Sequence, residues 1–344
     1  MQAVTRIGGA PPVRIIWLRT VACFAVSTLC ATAGLAQELT LPESSPAESL
    51  RNRYEALREQ LEQSPLQPGL HLESVQRSQT LRGDVYAVVD YPFPTVSDAF
   101  SSSAGLCDAL ILHLNIKYCR AGLEHARPVL LVAIGKKTEQ PVSDTYQVEF
   151  DYNINTLDAN YMQVKLDASE GPVGTKDYRI VLEMVPVGVE RAFVHIQFSY
   201  TNGFGSRLAT NVYLASAGKD KVGFTQVIGA DHPQPQFIGG VRGIVERNTM
   251  RYFLAVDAYL SALALPPPER FKESAERWFA ATERYALQLH ELDRETYVAM
   301  KLAEYQRQQL ALRDTQPPPR RIESSRVAKT DSSPLRESIR AAVR

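Results

Sequence analysis

Apolar and polar positions alternate with a period of two through most of the central third of the chain. Val129 to Ile134 reads as one strand. Tyr146, Val148, Phe150 and Tyr152 alternate with Gln147, Glu149 and Asp151, and Met162, Val164 and Leu166 with Gln163, Lys165 and Asp167. Tyr178, Ile180, Leu182 and Met184 share a face, as do Val194, Ile196, Phe198 and Tyr200. Leu208, Thr210, Val212 and Leu214 close the series. Successive side chains of a strand point to opposite faces, so each run has one apolar face. Asp158-Ala159-Asn160, Gly171-Pro172, Val187-Gly188 and Thr201-Asn202-Gly203 supply the turns. The pattern predicts an antiparallel sheet with one dry and one wet face. His195 shares its strand face with Gln197 and is expected in solvent.

The period then changes. Phe237 to Leu263 predicts one long helix, with Val241, Val245, Asn248, Tyr252, Val256 and Tyr259 on one face. Arg242, Glu246, Arg247 and Arg251 decorate it, and Arg242 and Glu246 stand at a spacing that pairs on a helix surface. Upstream, Leu70 to Asp90 predicts a strand region, with short helices near Asp98 and over Leu106 to Leu114. Ser45-Pro46-Ala47-Glu48 is a helix start with proline in the first turn. Leu50, Tyr54, Leu57 and Leu61 follow as a narrow stripe within the segment 37–69, expected to dock on the main domain. Beyond Pro266-Pro267-Pro268, the segment 266–313 predicts helix from Glu269 to Gln309. Phe271, Ala275, Trp278, Thr282, Tyr285, Leu289 and Leu292 form a coiled-coil-like seam, weakened at Thr282. It could pack within the chain, which is the first choice, or self-associate or hold an envelope partner. Residues 314–344 are rich in Pro, Ser, Arg and Lys and predict a disordered tail.

Residues 1–36 change the picture of compartment. Arg6, Arg14 and Arg19 precede the apolar run Val21 to Leu35, and Gly34-Leu35-Ala36 fits a cleavage site. The run, at about 15 residues, is shorter than a bilayer span. A signal peptide is therefore expected, with a periplasmic or secreted product. Cys23 and Cys30 leave with it. Cys107 and Cys119 remain as an even pair, and an oxidising compartment favours a disulfide between them. Formal charge is +0 for the whole chain. No basic stripe exists for nucleic acid. The sequence asks for no metal or other cofactor.

The order of strand, two short helices, long meander and long helix resembles the helix-grip fold of START-like proteins. Their wider superfamily includes polyketide cyclases and Bet v 1-like proteins. The likeness covers residues 70–265 and rests on element order, on Gly83-Asp84-Val85-Tyr86-Ala87-Val88-Val89 followed by Pro92-Phe93-Pro94-Thr95-Val96, and on the helix Gly240 to Leu260. It implies an α+β fold in which a curved antiparallel sheet wraps a long helix, with extra helices at both ends. It also implies a cavity between sheet and helix, which in START-type members holds lipids.

The lining would come from Tyr146, Phe150, Met162, Val164, Ile180, Leu182, Ile196, Phe198 and Val212 on the sheet. Val245, Asn248, Tyr252, Val256 and Tyr259 would line it from the helix, with Val241 on the same face. Apolar stripes equally make a solid core, but the polar atoms of Asn248, Tyr252 and Tyr259 need partners there. Arg247 and Arg251 are head-group candidates. His113 and Asp108 near Cys107 could be imagined as an acid/base set, but no nucleophile motif accompanies them. The expectation is an exported, non-catalytic carrier of a lipid or other apolar molecule. The alternatives are an envelope interaction protein and a cavity enzyme of the cyclase or hydrolase type.

Overall fold

Helix α1 (Pro46–Glu62) starts where Ser45 caps it: the Ser45 hydroxyl accepts from the Glu48 amide at 3.2 Å. The computed structural model describes residues 45–203, 219–229 and 232–315. The signal segment, the strand expected over Leu208 to Leu214 and the tail lie outside the described residues, apart from the last residues of the final helix. After α1 the chain forms β1 (Leu70–Arg77), β2 (Thr80–Val89), α2 (Phe93–Phe100), α3 (Ser103–Leu110), β3 (Ile116–Glu124) and β4 (Arg127–Ile134). The meander continues as β5 (Tyr146–Asp158), β6 (Tyr161–Glu170), β7 (Thr175–Val187) and β8 (Arg191–Asn202). A two-stranded ribbon, β9 (Gln226–Gly229) and β10 (His232–Phe237), leads into α4 (Gly240–Ala262). Three helices follow: α5 (Pro267–Glu283), α6 (Ala286–Leu289) and α7 (Arg294–Thr315).

Among the described residues the main sheet has eight strands in the order β1-β2-β8-β7-β6-β5-β4-β3, every pair antiparallel. Register shifts after Ile116, Ile154 and Lys176 bend it. The result is an α+β helix-grip architecture, a curved sheet holding α4. The predicted strand region Leu70 to Asp90 is a hairpin, turned at Ser78 with φ 54°.

The inner faces follow the predicted alternation. Val85, Ala87, Val148, Phe150, Met162, Val164, Leu182, Met184, Val194, Ile196 and Phe198 are buried in one core. Helix α4 crosses β2 at Gly83, where a Cβ would overlap the Thr249 hydroxyl and lie 3.4 Å from the Val245 carbonyl. Glycine is what lets helix and strand approach this closely. The Cys107–Cys119 disulfide ties α3 to β3 as expected.

The outer face departs from prediction. Beneath α1 it is dry: Leu50, Leu57 and Leu61 bury against Tyr86, Phe193, Val185 and Tyr161. Each such leucine stabilises by roughly 1.5–3 kcal/mol. His195, expected in solvent, is 5% exposed. It stacks on Tyr86 with ring centroids 4.3 Å apart and lies between Asp84 and Glu183.

The C-terminal seam is not one helix. Helix α5 begins on prolines, which suit a first turn, and ends at Glu283. Asp293 then caps α7, its carboxylate accepting from the Thr296 amide at 2.8 Å. Phe271, Ala275 and Trp278 are buried in the chain's own core. Phe271 stacks on Tyr305 and Trp278 on Tyr297. The described residues fall in one compact unit, so α1 and α5–α7 belong to the body that holds the sheet.

Side chains from the helices finish both edges of the sheet. At the β3 edge the Cys119 amide donates to Gln308 Oε1 of α7 at 2.8 Å. At the β1 edge the Arg242 guanidinium of α4 donates to the Ser74 carbonyl at 3.0 Å.

Candidate functional site

The inner face carries a run of aromatic rings. Tyr178 stacks on Tyr200 at 5.4 Å, and Phe198 touches both. Phe198 also meets Tyr252 of α4 at 5.3 Å, and Tyr252 stacks on His113 at 4.6 Å. Burial pushes the phenols of Tyr178, Tyr200 and Tyr252 above their ordinary range, so they stay neutral donors.

The predicted lining residues Phe150, Met162, Val164, Ile180, Leu182, Ile196, Phe198, Val245, Tyr252 and Val256 are brought together in this core. Tyr259 is half-buried against Phe100. Val241 and Asn248 are also half-buried on α4. Val212 lies outside the described residues. Tyr146 is a correction: it is 53% exposed. It is the first residue of β5 and pairs with the last residue of β4, so it stands at the sheet's end rather than over its centre.

Sequence reasoning did not single out His113 for this interior. Its Nδ1 accepts from the Asn115 amide at 3.2 Å. Burial first, then Arg251, Lys301, Lys137 and Lys117, hold its pKa well below the ordinary value. The neutral ring therefore carries its proton on Nε2. That atom is buried with no hydrogen-bond partner among the described residues, as is the Tyr152 hydroxyl. No hydrogen bond or ion pair joins His113 to Asp108 among the described residues. Burial raises Asp108 to about 6. Cys107 is oxidised, so the imagined acid/base set has no thiol to activate.

The two head-group candidates stand one turn apart in the middle of α4. Arg251 donates to Glu291 at 2.9 Å, and Glu291 also receives Lys137. Lys221 stands 3.7 Å from the same carboxylate. Arg247 is 2% exposed and donates to the Val222 carbonyl at 3.0 Å. Burial, Arg251 and Arg247 bring Lys137 down to about 8, although Glu291 opposes them. Burial favours the neutral acid at Glu291, but Arg251 and Lys137 outweigh it and keep the group ionised. Arg242 and Glu246 form the expected pair one turn apart, with the guanidinium 4.0 Å from the carboxylate, but the acid end of it is buried rather than on the surface. Glu246 is fully buried and accepts from Ser74, Thr225 and the Phe224 amide.

A separate open groove of about 810 Å³ lies beside β1. It is bordered by Gln63, Leu72, Phe224, Phe237, Arg284 and Tyr285, and by none of the predicted lining residues. No helix among the described residues is long and apolar enough to cross a membrane.

No protein-family model matches the chain, and no curated protein matches it. Solved structures do. Norcoclaurine synthase from Thalictrum flavum, in complex with dopamine and hydroxybenzaldehyde, is 12% identical over 42% of this chain and 78% of its own, with TM-score 0.28. Human STARD10 is 10% identical over 49% of this chain and 75% of its own, with TM-score 0.27. A conserved protein of unknown function from Enterococcus faecalis is 7% identical over 74% of this chain and 98% of its own, with TM-score 0.29. The assignment to the helix-grip architecture rests on the chain's own strand order and on the seat of α4, not on these likenesses.

Proposed function

We propose that this is a non-catalytic binding protein that holds a lipid or similar apolar molecule between the sheet and α4. The observation that carries this reading is the His113 Nε2–H donor. It is buried against Tyr252 with no partner among the described residues. An unpaired buried donor costs about 1–3 kcal/mol. An acceptor on a bound molecule would recover that cost, and the surrounding rings and aliphatic side chains would cover the molecule's apolar part. The leader-like residues 1–36 and the Cys107–Cys119 bridge support an exported protein in an oxidising compartment.

Phe271, Ala275 and Trp278 of the heptad seam are spent inside the molecule, which removes the basis for an envelope contact through that face. The test is native mass spectrometry of the protein purified from its own cells, followed by uptake from a broad lipid panel. A bound apolar species is expected. Absence of any bound species and of uptake from the panel would sink the reading.

A further inference from the structure

Among the described residues β1 ends the main sheet, and the groove of about 810 Å³ lies along its open edge. Backbone groups of an antiparallel strand alternate between the paired neighbour and the open side. Gly69 accepts from the Val88 amide across the β1–β2 pair, while the Ser74 carbonyl points outward to Arg242. Leu72 stands two positions before Ser74, so its N–H and C=O also point outward, at the place where Leu72 borders the groove. Neither group has a partner among the described residues. Arg242 occupies the next rung, which keeps the open stretch short.

A second amide without a partner borders the same space. Gln288 of α6 is 6% exposed, and its side chain makes no hydrogen bond among the described residues. A glutamine amide offers an oxygen and an NH2 group, the complement of a peptide unit. The groove walls are fixed in advance. Buried Glu246 accepts from the Phe224 and Thr225 amides, and the Ile238 amide donates to the Thr225 carbonyl. Phe224 meets Tyr285 edge-on at 5.5 Å, and the Tyr285 hydroxyl donates to Gln67 at 3.3 Å.

Shape and charge select the occupant. The end of α1, the β9–β10 ribbon and the link from α5 to α6 stand around this stretch of edge. They leave room for a single chain and not for the flat margin of another sheet. The border holds one carboxylate, Glu59, and one guanidinium, Arg284, so it favours neither a polyanion nor a polycation. Leu66, Leu72, Phe237 and Tyr285 give it an apolar side.

We propose that this groove binds an extended, uncharged peptide segment of another protein, which adds one short strand at Leu72. The segment's backbone pairs with Leu72 and Gln288, and its apolar side chains lie on Phe224, Phe237 and Tyr285. This is a second site and does not rest on the interior reading above.

The test is selection of a random library of about seven-residue peptides on the purified full-length protein, followed by synthesis of the enriched peptide and its N-methylated series. Enriched sequences should carry apolar residues at every second position. N-methylation at the residue opposite Leu72 should weaken binding on the order of tenfold or more, and Gln288→Leu should weaken it by a similar factor. A benzophenone-bearing copy of the peptide should label residues 63–72, 224–226 or 284–288. If Gln288→Leu does not fold, the N-methylated series and the labelling decide. Enrichment of no peptide, or tolerance of N-methylation at every position, would overturn the proposal. So would labelling elsewhere, or unchanged affinity in a folded Gln288→Leu. Dimers of the protein alone that the peptide breaks would give the groove to a second copy instead.

Discussion

His195 Nε2 lies 2.8 Å from Asp84 Oδ1, on the face of the sheet that points away from the core. Its Nδ1 lies 2.7 Å from Glu183 Oε1, and Glu183 also accepts from the Tyr161 hydroxyl at 2.6 Å. With a carboxylate at each nitrogen the ring is favoured as imidazolium. Burial opposes this, but the two hydrogen bonds win and raise the His195 pKa above 6.5. The stability this proton contributes is fully present below pH 6.5 and is lost as pH rises through the folded value. Urea unfolding of wild type and His195→Gln from about pH 5 to about pH 9 checks this. The wild type's advantage should shrink with rising pH, and parallel profiles would refute it.

The Gly83 crossing predicts a steric effect. Gly83→Ala forces a methyl into Thr249 and should destabilise the fold by about 1–3 kcal/mol. Adding Thr249→Ala removes the hydroxyl in the way and should return part of that loss. Midpoints of urea denaturation for the single and double variants measure it. A double variant as weak as the sum of the singles would contradict this account.

Lys117, Lys301 and Glu304 are fully buried between β3 and α7. Lys301 also donates to the His113 and Ile116 carbonyls, which fastens α7 to the body. Glu304→Gln leaves two buried ammonium groups without their carboxylate and should cost about 3–5 kcal/mol. Burial lowers Lys301 to about 8, although Glu304 opposes it. The folded protein thus sheds this proton before the unfolded chain does, and stability from this site should rise between pH 8 and 10.5. Lys301→Met should flatten that rise in denaturation profiles.

The disulfide spans 12 positions of sequence. Cys107→Ser with Cys119→Ser should lower stability by roughly 3 kcal/mol in the chain-entropy model. Thermal melts with and without reductant check it: the reductant should lower the wild-type midpoint and leave the double variant unmoved.

Much of the interior was legible because its causes are local. The alternation in β5 to β8 sets which residues face inward, and the stripe Val245, Tyr252, Val256 sets the helix face opposite them. What failed depends on distant chain. Gln197 beside His195 suggests solvent, yet α1, well over 100 positions earlier, covers that face. Tyr146 fits its strand's alternation, but alternation does not mark where the sheet ends. The break in the C-terminal seam had a local signal, Asp293 three positions before Thr296, which the heptad spacing of Leu289 and Leu292 masked. Arg247 and Arg251 could be named as head-group candidates, while Lys137, Lys221 and Glu291 could not, since only folding brings those three loops to α4.

Gln308 and Arg242 occupy the outermost rungs at the two margins of an open sheet. A bare margin would seed growth by recruiting a strand from a second copy. Here recruitment at either position must first displace a helix side chain, and with it part of the packing that shapes the interior. The helices that pack on the sheet therefore also partner its edge groups at those two rungs.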